Sequence, residues 1–283
     1  MPPIISLAAP LGSYTFTKGA AARDFETKLV RHAACTIAGI KPANLFTWRA
    51  AGFTDSETDA AFAELSARLE HFGIRLERMA RRETGALVLA WRPAHVAQAL
   101  SSEHARRVLQ AGGFAEETAE GVIAQLKARI AEADAARLAR VAAGSEPAAP
   151  PKPEPFVPCC AQHGEHGGHH KPGHVCQCRA KAAIAREEAE ATQGEAEFPH
   201  EIGLLLGYPP ADVEGFIQHK GADFAACGGW KAYESPSEAL KTFQEQKRCT
   251  LEMVEMHAQG APLEMLAGIK LGGADIVSMA RAV

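Results

Sequence analysis

The sequence lacks a basic surplus: Lys and Arg number 30 against 34 Asp and Glu, for a formal net charge of -4 and a pI near 6.3. Without that surplus there is nothing to neutralise a phosphate backbone, so nucleic-acid binding is not expected. It also lacks long apolar runs. No stretch reaches the ~20 apolar residues of a bilayer span, and Met1 to Phe16 shows no basic segment followed by an apolar one. The expectation is a cytoplasmic protein with no membrane partner. Gly-rich phosphate loops of either the P-loop or the dinucleotide type are missing, as are a Gly-x-Ser-x-Gly elbow and a His-Glu-x-x-His helix. With no export signal, the seven cysteines should be mostly reduced thiols, better read as ligands or nucleophiles than as disulfides.

What is present is a foldable chain, 283 residues with 47% hydrophobic content, enough for one large domain or two modest ones. A helix is predicted from Ala22 to Ala38, closed by Gly39, with a short strand at Leu45-Phe46-Thr47-Trp48. Thr54 and Glu57 make a capping box, after which Phe62, Leu65, Leu69 and Phe72 fall at helical spacing. Ile74 to Met79 alternates like a half-buried strand, and Leu87 to Trp91 is apolar enough for a central one. Pro93 and Ser101 or Ser102 open two shorter helices. A long helix over Thr118 to Val141 follows, with Val122, Leu126, Ile130 and Ala133 on one side.

Composition then changes abruptly. Glu146 to Pro158 holds six prolines in thirteen residues, which forbids ordinary helix or sheet and reads as a linker. Directly after it, Cys159, Cys160, His163, His166, His169, His170, His174, Cys176 and Cys178 fall within twenty residues. Thiolates and imidazoles at this density are transition-metal ligands by chemistry. Their spacing, Cys-Cys and Cys-x-Cys with irregular histidines between, does not specify the paired Cys-x-x-Cys knuckles of a rigid zinc finger. A flexible chelator of a divalent transition metal, zinc or nickel first, fits better. A hydrophilic spacer that happens to be rich in histidine is the plainer alternative.

Arg179 to Glu197 carries no apolar stripe and reads as a surface helix or disordered chain. Order resumes with a short helix in Phe198 to Gly207, and a second from Pro209-Pro210 should turn Val213, Phe216 and Ile217 inward. Trp230 to Tyr233 reads as a strand. Ser235-Pro236-Ser237-Glu238 opens a helix that should run to about His257 and bury Leu240, Phe243, Leu251 and Val254; a weakly amphipathic tail helix completes the chain.

Two stretches carry a resemblance. Cys35 to Phe46 (Cys-Thr-Ile-Ala-Gly-Ile-Lys-Pro-Ala-Asn-Leu-Phe) is one. Phe198 to Tyr233 is the other, through its Pro-His-Glu-Ile-Gly, Leu-Gly-Tyr-Pro, Asp-Val-Glu-Gly-Phe-Ile and Cys-Gly-Gly-Trp-Lys-Ala-Tyr runs. These resemble an uncharacterised family of mostly anaerobic bacteria, domain-of-unknown-function family 3793, over roughly Ala22 to Thr250. The resemblance supplies no activity. It implies that residues 1–143 and 198–283 are two parts of one domain, interrupted by an insertion over 144–197.

Within those stretches Cys35, His200, Glu201 and Cys227 form a second constellation. A thiol near a helix end with a histidine base is a conceivable nucleophile, and Gly228 and Gly229 beside Cys227 would let a ligand approach the backbone. Against that stands the ordinary role of Cys35 as a small buried hydrophobe and of His200 as a cap or surface group. The fold expected is an α+β domain: a small mixed sheet near Leu45, Ile74, Leu87 and Trp230 packed on helices, with a disordered insertion. The expected function is cytosolic metal binding for buffering, delivery or sensing, with a protein partner that receives the ion. The alternatives are an enzyme or small-molecule site at Cys227, Cys35 and His200, or a protein-interaction scaffold.

Overall fold

The computed structural model describes residues 19–82, 85–116, 118–142 and 198–268. The Cys/His tract and the tail beyond residue 268 lie outside them. The chain divides into two compact units, Met1–Ala99 with Leu205–Gly207 and Lys241–Val283, and Leu100–Leu204 with Tyr208–Leu240. Each therefore draws on chain from both sides of the insertion.

The first unit is built on a three-stranded antiparallel sheet of order β1-β3-β2, formed by β1 (Ala43–Arg49), β2 (Arg75–Arg82) and β3 (Gly85–Trp91). β3 is central because it is apolar throughout: Ala86 to Trp91 are all buried. Its register sets Val88 opposite Phe46 and Ala86 opposite Trp48. That face packs on α1 (Ala20–Ile37) and α2 (Asp55–Glu70), where Phe25 stacks on Trp48 at 4.1 Å between centroids and Leu29, Leu65 and Leu69 are fully buried. Trp48 keeps its polar end satisfied by donating Nε1–H to Asp24 at 2.9 Å. The Thr54–Glu57 capping box at the start of α2 is present as expected.

Helix ends leave carbonyls without intrahelical partners, and here one guanidinium takes two of them together with a third from the turn that follows α2. Arg92 donates to Thr36 O at 2.7 Å, Ile37 O at 2.6 Å and Phe72 O at 2.9 Å, joining the ends of α1 and α2. α3 (Pro93–Leu100) follows it. The first unit also takes in most of α8 (Pro236–Ala258) and the short α9 (Leu263–Gly268).

In the second unit lie α4 (Glu103–Ala111), α5 (Ala119–Ala142), α7 (Pro210–Gln218) and most of α6 (Ile202–Leu205), with a two-stranded ladder of β4 (Ala226–Cys227) and β5 (Lys231–Ala232). Ser102 caps α4 by accepting from Ala105 N at 3.1 Å. Val122, Leu126, Ile130 and Ala133 of α5 are buried, as their spacing requires.

The α+β organisation is as expected, with three differences in detail. The main sheet is wholly antiparallel where a mixed one was expected, because the α2 crossover carries the chain from β1 to the far edge and the β2–β3 hairpin then inserts β3 between them, antiparallel to both. The Trp230 segment does not join it; Ala226 and Cys227 pair locally with Ala232 and Lys231 across the glycines between them. On α8, Phe243 is buried but Leu240, Leu251 and Val254 are 49%, 60% and 37% exposed. The covered stripe is Ala239, Phe243, Cys249, Met253 and Met256, about one residue further round the helix. Ile217 of α7 is likewise exposed, and the buried neighbours are Asp212 and Val213.

Candidate functional site

The nine donors from Cys159 to Cys178 lie outside the described residues. Among the described residues no group of three or more His, Cys, Asp or Glu side chains is arranged to hold a metal ion. Three of the seven thiols remain: Cys35 and Cys249, both buried, and Cys227, exposed.

Cys35 sits in the last turn of α1, just beyond a kink where Ala33 leaves helical geometry (φ -118°, ψ 17°). Its carbonyl accepts from Ile40 N at 2.8 Å and Lys41 N at 3.0 Å, so the chain doubles back and brings the buried Lys41 into the thiol's surroundings. Its sulfur faces one turn of α8, 3.3 Å from Gln246 O and 3.6 Å from Thr250 Oγ1. That turn contains Cys249, buried in the same core cluster as Cys35.

Electrostatics divide the pair. The Cys249 hydrogen bond is the largest influence on Cys35 and, with Thr250 and the Lys41 charge, outweighs burial and Glu245 to bring its pKa down to about 7. Cys249 moves the other way: its bond to Cys35 raises it first, then burial and the charge that Cys35 develops. The physical content is one proton lost easily and a second held tightly. As a thiol Cys35 donates to Gln246 O; as a thiolate it accepts from Cys249 and the Thr250 hydroxyl.

The second unit holds the other three candidates. His200 precedes α6 and is exposed, its ring edge-on to Phe216 at 4.9 Å between centroids; partial desolvation lowers its pKa against the smaller opposing influence of Glu201. The Glu201 carboxylate lies directly against Gly112, where a β-carbon would collide with it. Cys227 faces Lys231 across the two-stranded ladder. Lys231 Nζ donates to Gly221 O at 2.5 Å and lies 5.0 Å from the Phe224 ring centroid. Cys35 thus belongs to one unit, and His200, Glu201 and Cys227 to the other, so the four do not make a site within either unit.

Two residues that matter were not singled out by sequence reasoning. Cys249 sits between charged and polar neighbours (Lys247, Arg248, Thr250), and only its place on the stripe shared with Phe243, Met253 and Met256 marks it as inward. Asp212, in the Asp-Val-Glu-Gly run, is buried and accepts from Trp230 Nε1 at 2.7 Å, Tyr233 N at 2.7 Å and Glu234 N at 3.3 Å. Around it Tyr208 stacks on Trp230 at 5.2 Å, and a β-carbon on Gly215 would lie 2.7 Å from the Tyr233 ring. These runs, which carry the resemblance, are used here to close the small ladder onto α7.

One cavity of about 220 Å³ opens in the first unit, lined by Trp48, Phe53 and the three arginines Arg78, Arg81 and Arg82 among others. Asp59 binds two of them, Arg78 at 2.7 Å and Arg81 at 3.1 Å, which offsets much of its positive charge. No described helix is long and apolar enough to cross a membrane.

A family model described as a protein of unknown function (DUF3793) matches residues 29–137 and 176–267. The stretch between the two matched blocks contains seven of the nine tract donors, Cys159 to His174, while Cys176 and Cys178 fall at the start of the second block. No curated protein and no solved structure matches the chain.

Proposed function

The chain belongs to the family of proteins of unknown function designated DUF3793, and, as that description carries no activity, we propose from its own chemistry that it is a cytoplasmic transition-metal-binding protein. The tract from Cys159 to Cys178 captures a divalent ion, zinc or nickel, and the folded units present it to a protein partner. One observation carries the reading: four thiols and five imidazoles within twenty residues. Such a set offers several tetrahedral or tetragonal combinations, so it favours buffering or delivery over a single rigid structural site.

Ligation needs neutral imidazole and thiolate, so binding releases protons and weakens in acid. Unperturbed imidazole titrates near ~6.5, which puts the loss of the histidine contribution in mildly acidic solution. The test is calorimetric titration of the full chain, and of a chain lacking Cys159 to Cys178, with zinc and then nickel. Loss of the tight phase on deletion is the expected result. Equal stoichiometry and affinity in both proteins would end the proposal. An enzyme built from Cys227, Cys35 and His200 together has no such support, since neither unit contains all three.

A further inference from the structure

We propose that Cys35 and Cys249 form a two-electron redox site, a buried dithiol that closes to an intramolecular disulfide when it meets a peroxide. This goes beyond the metal-binding reading and does not depend on it. Placement comes first. The two residues are 214 positions apart, yet Cys35 sulfur touches Gln246 O at 3.3 Å and Thr250 Oγ1 at 3.6 Å, the polar groups three before and one after Cys249 on α8. Both thiols are buried in the same core cluster, and each is the leading influence on the other's ionisation. Closing the disulfide takes rotation of the two side chains to the ~2.05 Å S–S separation.

Chemistry distinguishes the two sulfurs. Cys35 has the means to be an attacking thiolate: Cys249 S–H and the Thr250 hydroxyl can turn toward its sulfur, and Lys41 supplies a nearby positive charge. Glu245 opposes it, and Glu245 and Glu252 both favour a protonated Cys249. Cys249 therefore has the part of resolving thiol. Exposures of 6% and 2% exclude a protein disulfide, so the oxidant has to be as small as hydrogen peroxide.

Cys35 thiolate attacks one oxygen of hydrogen peroxide; the S–O bond forms, the O–O bond breaks, and hydroxide leaves to take up the thiol's proton as water. The Cys35 sulfenic acid is then attacked by Cys249 sulfur. The S–S bond forms, the S–O bond breaks, and a second water leaves with the Cys249 proton. Two thiols are oxidised and one peroxide is reduced, with no further reactant. The product ties the end of α1 to the middle of α8.

The experiment treats the full chain, reduced and metal-free, with hydrogen peroxide, alkylates what remains free, and maps the peptides under non-reducing conditions. The expected product is a peptide pair joined through Cys35 and Cys249, lighter by two hydrogens and separated by dithiothreitol. In Cys249→Ser the same treatment should leave Cys35 as a sulfenic acid captured by dimedone. The proposal is overturned if Cys35 and Cys249 stay alkylatable while the exposed Cys227 oxidises. It is equally overturned if Cys35 joins Cys227 or a tract cysteine instead. Both outcomes are read from the unmutated protein, so a misfolded variant alters neither.

Discussion

Replacing Arg68 with methionine isolates the electrostatic fastening of the first unit. Arg68 Nε donates to Glu264 Oε1 at 2.6 Å, while its two terminal nitrogens donate to Glu264 Oε2 at 2.9 Å and Glu26 Oε2 at 3.0 Å. The side chains are 9%, 13% and 9% exposed for Arg68, Glu264 and Glu26, so this is a buried network linking α2, α9 and α1. Methionine keeps the apolar stem and removes the charge, leaving two carboxylates with poor access to water. Breaking a buried pair from one side costs about 3–5 kcal/mol. Glu264 is the most exposed of the three and His257 Nε2 still reaches Glu26 Oε1 at 3.3 Å, which argues for the lower end, about 3 kcal/mol. Against a total of roughly 5–15 kcal/mol, that is a large loss. Urea unfolding at neutral pH should show it as a lower midpoint. Adding Glu264→Gln should recover part of the loss. A deficit below about 1 kcal/mol, the size of an exposed ion pair, would refute the reasoning.

Two further substitutions test the second unit. Asp212→Ala strands the Trp230 indole N–H and the Tyr233 and Glu234 amides; it should cost about 3 kcal/mol and speed hydrogen exchange in β4 and β5, and unchanged exchange there would count against the cluster as the clasp of the ladder. Partial desolvation lowers the pKa of the exposed His200 from 6.5, so the unfolded chain binds its proton first and stability falls modestly as pH drops below about 6.5. His200→Gln should flatten that acid slope in thermal midpoints, and a slope that does not change places the imidazole in water.

The legible part of the fold was whatever periodicity or a cap records locally. The capping box at Thr54 and Glu57, the Val122 to Ala133 stripe and the apolar β3 all give direct readings, because each depends on neighbours within one element. What failed depends on partners distant in sequence. α8 has two adjacent apolar stripes, and only packing decides that Cys249 and Met253 are covered while Leu240 and Leu251 are not. For the same reason Cys35 was noticed as a thiol but its partner was not: nothing within a few residues of Cys249 marks it as facing a helix 214 positions earlier. Asp212 reads as an ordinary first-turn acid until Trp230 and Tyr233 are brought to it.

Metal capture by the tract is the central claim, and elemental analysis of the untagged protein, purified anaerobically from cells grown with trace zinc and nickel, tests it most directly. Zinc or nickel is expected at one equivalent or more in the full chain and at none in the chain lacking Cys159 to Cys178. A full chain that emerges without metal and takes up none when offered it would contradict the claim.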